Sequence, residues 1–179
     1  GRPKMLLATN YEEAVSLFNR HKENLIGIIS DISYKREGKK DQQAGIKLFK
    51  KIRGEDPFMP FLLQSSDIEN EKVAKELGVG FVNKYSKTLS IDIRNYIIRN
   101  LAFGDFIFRK PDTMEEICRA TDLRSLQEKI LKVPNSTIEY HVKQNHFSKW
   151  LNARALFSIA RMLKYITYDD FNNVDEIRT

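Results

Sequence analysis

The chain has 179 residues, of which 41% are apolar, a formal charge of +6 and one cysteine, Cys118. This length suits one medium domain or two small ones with ordinary cores, and a lone cysteine excludes an internal disulfide and fits a reducing cytoplasm. No apolar run approaches the ~20 residues of a membrane span and no secretory leader opens the chain, so a soluble cytoplasmic protein without membrane contact is expected. The first residue is Gly1 rather than Met, which points to a piece of a larger protein.

Taken in order, Lys4-Met5-Leu6-Leu7-Ala8 reads as a short strand, and Thr9-Asn10 caps a helix over about Tyr11 to His21. Leu25 to Ser30 is an apolar run that ends on Asp31, as a strand buried on both faces would. A polar loop, Ser33 to Lys40, leads to a helix from about Asp41 to Arg53 that Gly54-Glu55-Asp56-Pro57 breaks. Pro60 to Gln64 is a further strand, followed by a helix over Ile68 to Leu77 that stops at Gly78. Val79 to Asn83 is the next strand, Lys84 ends it, and a helix spans about Leu89 to Asn100. Four strand-helix pairs in succession predict an α/β domain with a parallel sheet and flanking helices.

The pattern changes near residue 103. Phe106-Ile107-Phe108 and Ile117 to Ala120 flank a turn at Lys110-Pro111-Asp112-Thr113, which predicts a β-hairpin. Ser125-x-x-Glu128 and Ser136-x-x-Glu139 fit capping boxes for helices over about 126–132 and 137–144, separated by Pro134. The longest helix is expected from about Phe147 to Tyr165, with Trp150 in its apolar stripe, and Thr167-x-x-Asp170 starts a final turn. Residues 1–103 carry 18 Lys and Arg against 13 Asp and Glu, leaving 12 against 11 for the rest. Much of that excess sits in Lys35-Arg36-Glu37-Gly38-Lys39-Lys40, which reads as a solvated loop; with only Tyr34 beside it, nucleic-acid binding is not expected there.

Asp31, Ser65 and Lys84 share one position, each terminating a predicted parallel strand at its carboxyl end, where ligands of such sheets collect. A carboxylate can accept a phosphoryl group as nucleophile, a hydroxyl can hydrogen-bond the new oxygens, and an ammonium can neutralise their charge. Each residue taken singly is also an ordinary turn or surface residue. With the three strand ends in place, residues 4–101 resemble a response-regulator receiver domain entered at its second strand. The resemblance implies a flavodoxin-like fold, phosphorylation of Asp31 by a histidine kinase or another phosphodonor, and roles for Ser65 and Lys84 in the site. It further implies Phe81 as a switch aromatic and Mg²⁺ held partly by Asp31 and by the carbonyl of Ser33.

This sequence departs from the receiver pattern in several places. The two adjacent acids that end the family's first strand have no match before Lys4, so Mg²⁺ would need acids supplied from upstream. Met-Pro is missing after Asp31, the interval from Asp31 to Gly45 is long, and Tyr85 follows Lys84 where the family has Pro. In the family's strand order the missing strand is central. A strand from upstream or from another chain is therefore expected to replace it, or Lys4 to Ala8 pairs directly with Leu25 to Ser30.

Residues 103–179 resemble a small helical module of unassigned function attached to bacterial regulatory proteins. Asp56 to Ser66, Leu101 to Phe106 and His146-Phe147-Ser148-Lys149-Trp150 together resemble the amino-terminal regulatory part of a phosphoenolpyruvate synthase or pyruvate phosphate dikinase-like protein. That resemblance implies a regulatory segment that is not itself an enzyme, adjoining downstream phosphotransferase domains, with a dimer left open. No glycine-rich phosphate loop or nucleophile-base pair argues for catalysis. His141 and His146 are spaced by five residues with no Cys or acid completing a set, and are expected to pack rather than bind metal. Leu131 to Val142 mimics a helix-turn-helix recognition helix, so a DNA-binding output domain is a rival reading, opposed by the near-neutral charge of this half.

Overall fold

The computed structural model describes residues 4–178. The chain divides into two compact units, with the border between Leu101 and Ala102. In the first unit, helix α1 (Tyr11–His21) starts on Asn10, whose Oδ1 accepts the Glu13 N–H at 2.9 Å, while the Thr9 N–H donates to Glu13 Oε2 at 2.7 Å. These bonds satisfy amides that a helix start leaves open and fix where the helix begins. There follow β1 (Ile28–Asp31), β2 (Tyr34–Arg36), β3 (Lys39–Asp41), α2 (Ala44–Glu55), β4 (Phe61–Ser65), α3 (Asn70–Glu76), β5 (Gly80–Asn83) and α4 (Leu89–Asn100).

Strands β1, β4 and β5 form a parallel sheet in that order, flanked by helices, and the unit is α/β. Phe61 and Leu63 of β4 join Phe18 of α1, Ile46, Phe49 and Ile52 of α2 and Ala74 of α3 in one core. Leu62 and Gly80 alternate to the opposite face, where α4 lies so close that a Cβ on Gly80 would stand 2.5 Å from the Tyr96 ring. Helix α2 meets the end of β1 more closely still. A Cβ on Gly45 would lie 2.0 Å from the Asp31 carbonyl oxygen, so glycine is required for this approach, which brings the start of α2 against the backbone of Asp31.

Several expectations need correction. Lys4 to Ala8 forms no strand, and Met5 and Leu7 are 85% and 76% exposed; direct pairing with Leu25 to Ser30 does not occur. Three parallel strands form instead of four, because a strand persists only when a neighbour takes up its backbone groups. Only Ile28–Asp31 of the apolar run is strand, and among the described residues it pairs with β4 alone, so it is an edge strand with Ile29 43% exposed. The segment read as a polar loop is the β2–β3 hairpin, closed by Glu37 (φ 53°) and Gly38 (φ 75°). Two successive left-handed residues match the right-handed twist of a two-residue hairpin. Helix α2 consequently starts at Ala44 rather than Asp41, which belongs to β3, and α3 starts at Asn70 rather than Ile68.

The second unit opens with the antiparallel pair β6 (Phe106–Arg109) and β7 (Glu116–Ala120) and continues as α5 (Leu123–Ile130), α6 (Asn135–Lys143), α7 (His146–Ala153), α8 (Phe157–Lys164), a short 3₁₀ turn at Tyr168–Asp170 and α9 (Val174–Arg178). The α5 capping box uses Asp122 with Ser125, three residues earlier than the expected Ser125 with Glu128. Helix α6 has no side-chain cap; it begins directly after Pro134, and Glu139 pairs with Lys143. The single long helix expected over 147–165 is two helices. Ala155 sits at φ 59°, with its N–H bonded to Asn152 O and that of Leu156 to Leu151 O, a Schellman ending that stops α7. The Ser148 hydroxyl donates to Ala160 O at 2.9 Å and ties the two helices together. Trp150 is core: it is 1% exposed, edge-on to Phe106, and donates its indole N–H to Gly104 O at 3.1 Å.

Candidate functional site

The carboxyl ends of the three parallel strands meet at Asp31. The Lys84 N–H donates to Ser65 O at 2.8 Å, which extends the β4–β5 ladder one step and sends the Lys84 side chain out at the sheet edge. From there Lys84 Nζ reaches Asp31 Oδ2 at 2.6 Å, although β4 lies between their strands. Gln64 is level with Asp31 in the register and donates its side-chain N–H to Asp31 Oδ1 at 2.7 Å. Each carboxylate oxygen is therefore held by one donor, and the Ser30 hydroxyl anchors the Asp31 carbonyl at 2.8 Å. The Lys84 and Asp31 side chains are 37% and 38% exposed, so solvent and small solutes can reach the pair. At such exposure the ion pair contributes only about 0–1 kcal/mol to stability.

The other residues singled out from the sequence stand apart. The Ser65 hydroxyl accepts the Asp67 N–H at 3.1 Å and the Asn70 side-chain N–H at 2.9 Å, so it shapes the turn into α3 and has no hydrogen bond to Asp31. Phe81 is half-buried against the core on the α1–α3 side of the sheet. The Ser33 hydroxyl is buried without a hydrogen-bond partner at the entry to β2. For Mg²⁺ these residues do not make a fit. Beyond Asp31 the Ser33 carbonyl would add one donor, the Lys84 ammonium at 2.6 Å competes as a cation, and no cluster of three or more metal-ligating side chains exists among the described residues. Near-octahedral oxygen ligation needs more than this set offers.

Gln64 also belongs to this site, although it has no chemical signature of its own in the sequence. Its signal is its place one residue before Ser65, which the parallel register turns into a place beside Asp31.

In the second unit His141 and His146 do come together, with their Nδ1 atoms 2.9 Å apart. His141 is 3% exposed, and its Nε2 accepts the backbone N–H of Arg109 at 3.2 Å. That bond requires a lone pair on Nε2, so neutral His141 carries its proton on Nδ1 and donates it to His146, whose own proton then sits on Nε2. Burial pushes His141 down from 6.5 to about 4, helped by the charge of Arg109. Burial likewise pushes His146 down to about 3, helped by His141 and Lys149. The pair is a neutral core element, with Phe106, Phe108, Tyr140 and Phe147 around it.

No family model, curated protein or solved structure matches the chain. In the described structure no helix is long and apolar enough to cross a membrane.

Proposed function

We propose that the first unit is a receiver-like signalling module of flavodoxin-like type in which Asp31 accepts a phosphoryl group. The reading is carried by one observation, the convergence of three parallel strand ends on a single solvent-reachable carboxylate bridged to a lysine 53 positions away. In the transfer, an Asp31 carboxylate oxygen attacks phosphorus, the new O–P bond forms, and the bond from phosphorus to the donor's leaving group breaks with that group taking the electron pair. Lys84, already at 2.6 Å, exchanges the carboxylate for the incoming phosphoryl oxygens and neutralises their charge. Gln64 stays on the other oxygen and keeps the acceptor oriented. The donor class is a histidine kinase or a small acyl phosphate, and the change passes to adjoining phosphotransferase domains.

A second reading is a degenerate receiver that works by protein contact alone. It is favoured by Ser65, whose hydroxyl is committed to the turn before α3, and by the poor fit of the site to Mg²⁺. Incubation with acetyl phosphate followed by intact mass measurement separates the two. Phosphoryl transfer adds one phosphoryl mass to the protein but none to Asp31→Asn, and Lys84→Met slows the gain. No added mass with or without magnesium, in a protein shown to be folded, refutes the phosphoacceptor reading.

A further inference from the structure

The β2–β3 hairpin has an unusual pairing. Its antiparallel register places Lys35 directly opposite Lys40 and Arg36 directly opposite Lys39, two consecutive like-charged pairs. Cross-strand neighbours of this kind lie close together, and like charges there repel. Arg36 is compensated, since it pairs with Glu37 at 3.1 Å and Asp41 at 3.5 Å and lies over the Tyr11 ring. Lys35, Lys39 and Lys40 are exposed and form no ion pair among the described residues. Asp41, the acid that ends β3, is already taken by Lys47 at 2.7 Å.

The hairpin is also fixed in place. The Glu37 N–H at its tip donates to Glu12 Oε1 of α1 at 2.9 Å, Asn10 bridges to Lys35, and Glu37 and Gly38 lock the turn. The result is three unpaired ammonium groups on a short rigid ribbon that leaves the sheet just after Asp31. Such a charge group steers and docks an anionic partner. A nucleic acid fits poorly. The arginine and tyrosine that could stack on bases or grip phosphate in a fork are occupied by each other, and Glu37, Asp41 and Glu12 lie within the same surface. Carboxylates dispersed along a polypeptide match separate lysine point charges, and the interleaved acids can take that partner's cations.

We propose that the β2–β3 hairpin docks an acidic polypeptide segment of a partner protein through Lys35, Lys39 and Lys40. This surface stands whether or not Asp31 accepts a phosphoryl group.

Fluorescence anisotropy of the full chain with a labelled oligoglutamate peptide tests the proposal. The triple variant Lys35→Gln, Lys39→Gln, Lys40→Gln is expected to weaken binding on the order of tenfold, with binding of the unaltered chain falling as salt rises. A control triple, Lys75→Gln, Lys129→Gln, Lys132→Gln, removes the same charge elsewhere and is expected to change affinity less than about twofold if local pairing rather than net charge decides. The hairpin triple relieves repulsion, so its urea midpoint is expected to hold or rise, and Lys40→Gln alone shifts affinity in the same direction. Equal losses in the two triples, no binding at low salt, or tighter binding of an oligonucleotide of equal charge would each overturn the proposal.

Discussion

Lowering the pH from 7 to 5 is expected to destabilise the second unit through the pair of buried His141 and half-buried His146. Both rings are neutral in the folded unit at pH 5, since their values there are about 4 and about 3, whereas in the unfolded chain they protonate near 6.5. The unfolded state therefore binds more protons over this interval. Stability is fully present above pH 6.5, falls progressively below it, and is completely lost once the pH has passed the folded values near 4 and 3. From pH 7 to 5 each ring contributes a loss of about 2 kcal/mol, or about 4 kcal/mol for the pair. Among the described residues no carboxylate hydrogen-bonds either ring: Glu139 is bonded to Lys143, Asp170 to Thr167 and Glu176 to Asn172. The charges that reach the rings, Arg109 from β6 and Lys149 from α7, are both positive. Trp150 is the only tryptophan and lies in the second unit, so its fluorescence during urea unfolding reports that unit. A midpoint that stays constant from pH 7 to 5, or imidazole NMR signals of His141 that titrate near 6.5, would show that the fold does not hold the pair neutral.

Two substitutions test the backbone argument. Ala155→Gly removes the cost of a left-handed alanine at the end of α7 and is expected to stabilise the second unit by about 1 kcal/mol, read from the same Trp150 signal. Gly45→Ala forces a methyl group against the Asp31 carbonyl and is expected to cost the first unit about 1–3 kcal/mol, measured as a lowered urea midpoint by circular dichroism with the second unit's Trp150 transition unchanged.

Elements with local chemistry at their ends were legible in the sequence. Thr9-Asn10 fixes the start of α1, Gly78 at φ 64° follows α3, and α4 runs from Leu89 to Asn100 as its pattern predicts. Elsewhere the information is not local. An apolar run such as Leu25 to Ser30 has the same appearance in a central strand and in an edge strand, because its environment depends on whether a neighbour pairs with it. The hairpin was hidden by its charges, although Glu37-Gly38 carried a turn signal. The break between α7 and α8 falls at Ala155, a strong helix former, while the apolar periodicity continues through it. Asp31 and Lys84 could be aligned from their strand ends alone. The role of Gln64 depends on a one-residue register that only the paired strands define, and the same register leaves the Ser65 hydroxyl with Asp67 and Asn70.

The phosphoacceptor role proposed for Asp31, with Lys84 and Gln64 on its two oxygens, leaves a chemical trace that can be mapped to a residue. The protein is treated with acetyl phosphate, reduced with borohydride and mapped by peptide mass spectrometry. An acyl phosphate on Asp31 is reduced to the alcohol, so homoserine is expected at position 31 and at no other carboxylate. An unaltered aspartate at position 31 in the folded protein, or reduction located at a different acid, would contradict it.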